Sequence, residues 1–112
     1  MKRPAPLLIA RKGSEMPLFL IRRDVPGITQ EEVDAASYRA ITCAFYYAGL
    51  RWLSSYWDQD GGTIHCVYEA QSADDVFEHA QVARIPCNDV RQVQPFGPES
   101  YTGEGVTELA QT

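Results

Sequence analysis

The chain has 112 residues, a net charge of −5, and 45% hydrophobic against 22% charged side chains. That length suits one well-cored domain, and the composition excludes collagen-like, coiled-coil and extensively disordered classes. The charge is uneven: an arm over residues 1–15 is basic through Lys2, Arg3, Arg11 and Lys12, while residues 16–95 and 96–112 are acidic.

Residues 1–15 carry Pro4, Pro6 and Gly13 and no helical or strand period, so they read as an N-terminal arm. Leu18-Phe19-Leu20-Ile21-Arg22-Arg23 reads as a strand that Asp24-Val25-Pro26-Gly27 ends as a turn. Thr29 and Glu32 form a T-x-x-E capping box, opening a predicted helix near 29–48. Val33, Ala36, Ser37, Ala40, Ile41, Ala44 and Ala48 recur at helical spacing, and the small residues suggest close packing on a sheet. Leu50–Trp57 and Thr63–Glu69 read as a hairpin joined by the loop 58–62. Ser72, followed by Asp74 and Asp75, opens a second helix near 72–84, with Ala73, Val76, Ala80 and Ala83 inward and Pro86 beyond its end. Asp89–Pro95 is a last strand, and 96–112 is a Gly-containing C-terminal tail.

The order β-α-β-β-α-β over residues 16–95 predicts an α+β, ferredoxin-like domain. It has a four-stranded antiparallel sheet with two helices on one face, of the dimeric α/β barrel type. The strands are apolar on both parities, as in Leu18 and Leu20 against Phe19 and Ile21. A half-solvated antiparallel sheet alternates instead. An uncovered apolar face marks an interface, so a homodimer through the open sheet face is expected.

An acidic body is a poor nucleic-acid binder, because phosphate affinity comes from Lys and Arg. Cys43, Cys66 and Cys87 are odd in number and lack a CxxC pair, which argues against a disulfide framework or a zinc knuckle. Reduced thiols point to a cytoplasmic protein. No apolar run approaches the ~20 residues of a membrane span, and Leu7-Leu8-Ile9-Ala10 is too short for a signal segment. Neither nucleic acid nor membrane is an expected partner.

The segment Met16-Pro17-Leu18-Phe19-Leu20-Ile21-Arg22-Arg23-Asp24-Val25-Pro26-Gly27-Ile28-Thr29 resembles the opening of a small bacterial family. That family was long catalogued only as a domain of unknown function, and it includes a nickel-binding protein with a ferredoxin-like fold. Cys66-Val67-Tyr68-Glu69-Ala70, Ser72-Ala73-Asp74 and the stretch from His79-Ala80 to Pro86 extend the resemblance, which covers residues 16–95. It implies a dimer and nickel or another divalent transition metal. The chain departs from the family pattern at Arg84, where a Gly commonly stands.

Cys66 and His79 are the candidate metal ligands, since a thiolate with an imidazole suits nickel, copper or zinc. Each also has a purely structural reading, Cys66 as a small hydrophobe and His79 as a carbonyl-bonded helix residue. His65 precedes Cys66 and points to the other sheet face. With the five-residue loop 58–62, Trp52 faces Tyr68, Ser54 faces Cys66 and Tyr56 faces Ile64. Such an aromatic patch can floor a small-ligand pocket or form a dimer core; the dimer core is the preferred reading. Function is therefore expected to be the binding of a metal or another small ligand. The alternatives are a small oxygenase- or isomerase-like enzyme of the dimeric barrel type and a purely structural dimerisation module.

Overall fold

Pro17 leads into β1 (Leu18–Asp24), whose side chains at 19, 21 and 23 are buried while Arg22 and Asp24 are exposed. Then follow α1 (Gln30–Cys43), β2 (Arg51–Asp58), β3 (Thr63–Glu69), α2 (Ala73–Ala83) and β4 (Asp89–Val93). The computed structural model describes residues 16–101. The arm 1–15 and the end of the tail, 102–112, lie outside the described residues. Met16–Val93 form one compact unit; beyond it, Pro98–Tyr101 makes a short 3-10 turn.

All strand pairs are antiparallel, in the order β2-β3-β1-β4. With both helices on one face, this is the ferredoxin-like α+β arrangement. No described helix is long and apolar enough to cross a membrane.

Both helix starts follow from their caps. Thr29 accepts the Glu32 backbone N–H at 3.1 Å, and Glu32 Oε1 accepts the Thr29 backbone N–H at 2.9 Å. Ser72 Oγ accepts the Asp75 backbone N–H at 3.2 Å. The first helix stops earlier than its apolar period suggests. At Ala44–Tyr46 the backbone tightens into a 3-10 turn, leaving Phe45 and Tyr46 exposed and Leu50 buried. The last strand ends at Val93, opposite Leu18, because β1 offers no further partner.

The core lies between the sheet and the helices. It gathers Phe19, Ile21, Leu50, Ile64, Cys66, Tyr68, Ala70 and Val76. On the opposite face, Leu20 and Val67 stand among Arg22, His65, Tyr56 and Arg91. Arg22–Asp24, Arg51–Glu69 and Arg91–Asp89 ion pairs cross that face at 3.0, 3.3 and 2.9 Å. The expected doubly apolar sheet is therefore corrected: this face is mixed, and most of the aromatic surface turns toward the helices.

The cause is a β-bulge at Leu53. Trp52 pairs with Tyr68, but the register then slips, so that Ser55 meets Cys66 and Trp57 meets Ile64. One extra residue on β2 inverts the facing of everything after it. The predicted facing of Ser54 with Cys66 and of Tyr56 with Ile64 is thus replaced. Ser54 pairs with Val67, and Tyr56 pairs with His65 on the open face, where it is 66% exposed.

Candidate functional site

The bulge brings Trp52, Ser55 and Trp57 onto the helix-facing surface beside Cys66 and Tyr68. Above them, α1 does not seal the sheet. Its inward residues Val33, Ala36 and Ser37 are only half buried, and Ala40 alone is fully buried. A cleft of about 930 Å³ runs between this helix and the sheet. The small side chains expected to bring α1 close instead leave room beneath it. The aromatic patch read as a dimer core is the floor of this cleft, with Trp57 in the place expected for Tyr56.

A chain of hydrogen bonds crosses the floor. Trp52 Nε1–H donates to Ser55 Oγ at 2.8 Å. Ser55 Oγ–H donates to Cys66 Sγ at 2.9 Å. Arg23 Nε–H donates to the same sulfur at 3.3 Å, and Arg23 Nη1–H donates to the Pro86 carbonyl at 2.7 Å. The Arg23 guanidinium also sits 5.9 Å from the centre of the Tyr68 ring. Tyr68 stacks on Trp52, with ring centres 6.5 Å apart and planes 14° from parallel. Burial pushes the Tyr68 phenol up to about 12, with the Arg23 cation pulling the other way. Cys87, packed against the core, has its thiol pushed up by burial.

His79 has a different setting. It is 1% exposed, and its Nε2–H donates to the Ala40 carbonyl of α1 at 2.9 Å. Its ring lies 5.5 Å from that of Tyr68 and 6.1 Å from that of Tyr47. Burial lowers its pKa, because the imidazolium loses its hydration there. Cys66 and His79 both adjoin Tyr68, but each has its own hydrogen-bond partners. His65 faces the other side of the sheet, as its parity predicts. Cys43 closes α1, half buried.

A nickel centre needs several donors converging on one point. Among the described residues no three of His, Cys, Asp or Glu do so. The Cys66 sulfur faces a guanidinium, whose charge repels a metal cation, and the Nε2 of His79 is committed to a carbonyl. The described residues of one chain do not by themselves fit a nickel site.

Sequence reasoning missed Arg23, Ser55 and Trp57. For Arg23 the signal was present: it continues the buried parity of Phe19 and Ile21, where a lone cation is out of place.

Sheet order, helix placement and cleft define a ferredoxin-like α+β protein with a helix-to-sheet cleft floored by aromatics. The family model for "Nickel responsive protein SCO4226-like" matches residues 19–93, and the chain belongs to that family. The crystal structure of SCO4226 from Streptomyces coelicolor A3(2) is similar, with a TM-score of 0.65 and 21% identity. The likeness covers 71% of this chain and 99% of that one. No curated protein matches the chain.

Proposed function

We propose that this chain is a small-ligand-binding protein, and that its site is the cleft between α1 and the sheet. The observation that carries this reading is the cleft itself, of about 930 Å³. Trp52, Trp57 and Tyr68 supply apolar surface on its floor, and Arg23, Ser55 and Cys66 are polar groups beside them. Ligand sites combine a cavity of this size class with such a lining. Tryptophan indole N–H signals in NMR spectra test it during a screen of small organic compounds. Binders should shift the Trp52 and Trp57 signals, and a screen in which no compound moves either one retires the reading.

The unit acts as a homodimer in this reading, through the open sheet face that carries Leu20, Val67, Val93 and Tyr56. Light scattering should then give twice the 12.5 kDa of one chain; a monomer at micromolar concentration removes the dimer. Family membership favours a second ligand, nickel or another divalent transition metal. Its candidate donors are Cys66 or His79, and a complete site would need further donors that the described residues of one chain do not supply. Calorimetry with nickel on wild type, Cys66→Ala and His79→Ala tests this. Binding weaker than about 100 μM, worth only ~5.5 kcal/mol, excludes it.

A further inference from the structure

We propose that the cleft takes an organic monoanion with a planar apolar body, its carboxylate seated on the Arg23 guanidinium. This rests on the cleft being a ligand site, and it names the class of ligand.

Arg23 is 4% exposed on a central strand, in line with Phe19 and Ile21. A buried cation is strongly unfavourable unless an anion and hydrogen bonds offset its lost hydration. Two N–H groups of the fork are engaged, by the Cys66 sulfur and the Pro86 carbonyl, and the Tyr68 hydroxyl also interacts with the guanidinium. A guanidinium has five, so both terminal nitrogens keep N–H groups to give. Among the described residues no carboxylate pairs with it.

The acidic side chains at the cleft border are committed elsewhere. Asp24 is held by Arg22 at 3.0 Å, and Glu32 closes the Thr29 cap. Arg39 lines the same cleft, its Nε–H donating to the Ala83 carbonyl at 2.7 Å and its Nη2–H to the Arg84 carbonyl at 3.3 Å. Arg84 lines it too. The balance of charge around the cavity therefore favours an anion.

The geometry also favours a carboxylate. A planar guanidinium end matches two carboxylate oxygens at once. The bonds to sulfur and to Pro86 hold this fork in place before any ligand arrives, which lowers the ordering cost of binding. Beside it, the stacked Trp52 and Tyr68 rings and Trp57 offer flat apolar surface, which suits an aromatic or conjugated body.

Cinnamate and its neutral isostere cinnamamide provide the test, titrated into the full-length protein by calorimetry and by NMR of the tryptophan indoles. Cinnamate should bind at least ten-fold tighter, about 1.4 kcal/mol, and should shift both indole signals. In Arg23→Gln, with its fold checked by circular dichroism, the preference should vanish. The wild-type comparison stands even if that variant fails to fold. Equal affinity for the two probes would leave the cleft a ligand site but overturn the anion. A preference for cinnamate that survives Arg23→Gln would place the anion elsewhere and overturn the proposal equally. If neither probe moves either indole signal, the proposal falls, while the cleft reading is decided by the wider compound screen.

Discussion

The two helices cover one face of the same sheet, yet they differ in what they bury. α2, with 11 residues, buries Val76, His79, Ala80 and Ala83, whereas α1, with 14, buries only Ala40. Their inward residues are similar in kind, mostly alanine and valine. What differs is the sheet beneath them: α2 meets filled core, and α1 stands over the cleft. One layer of a small fold can thus be divided, with one helix supplying stability and the other walling a site.

The sharpest way to break this comparison is the same substitution in each helix. Ala80 is 2% exposed, and Ala80→Leu should destabilise by about 3 kcal/mol in urea unfolding, the upper end of typical overpacking. Ala36→Leu should change stability by no more than about 0.5 kcal/mol, while filling the cleft and abolishing the binding of any small ligand. Equal costs would mean that α1 is packed as tightly as α2.

A second test uses the bond between the helices. Burial holds the His79 pKa below its ordinary value of 6.5 in the folded protein. The unfolded chain takes up that proton first as the pH falls. Stability is therefore complete above about pH 6.5 and declines below it, by up to about 1.4 kcal/mol per pH unit for one proton. Urea midpoints between about pH 7 and pH 5 should show this slope, and His79→Gln should remove its share of it.

Loss of either helix cap should cost about 1 kcal/mol, but with different reach. Ser72→Ala should weaken the whole unit, because α2 is part of its core. Thr29→Ala should mostly fray the first turn of α1, seen as faster amide exchange confined to residues near 31–34. The smallest effect concerns Arg84, whose φ of 59° is left-handed. That conformation costs an L-residue about 1–2 kcal/mol, and glycine's greater unfolded-state freedom returns about 0.5–1 of it. Arg84→Gly should therefore stabilise by about 0.5 kcal/mol in thermal unfolding, and a loss of stability would show that the side chain holds α2 to its surroundings.

Much of the fold was legible because its signals are local. Thr29 with Glu32, and Ser72 with Asp74 and Asp75, mark helix starts within four residues, and the element order follows. The left-handed backbone at Arg84 is also the conformation that glycine adopts most readily. The site was far less legible. Alternation along one strand does not reveal how many residues face each partner residue, so the slip at Leu53 was invisible to a parity count. The cleft was hidden for another reason. Small residues on a helix permit either close approach or empty space, and only the neighbouring layers decide between them. Cys66 stood out in the sequence as a candidate donor, but its partner Arg23 lies 43 residues away on another strand, and the bulge decides that Ser55 meets it.

The bulge has a consequence for how such a site arises. Because Leu53 is the extra residue, its deletion would leave residues 54–57 opposite the same β3 partners and keep Ser55 and Trp57 on the cleft wall. Straightening β2 with Leu53 retained would instead carry Trp57 out of the cleft and Tyr56 into it, and exchange Ser55 for Ser54 beside the sulfur. The chemistry of this wall thus depends on whether β2 bulges, and it can change with no substitution among the residues that line the cleft.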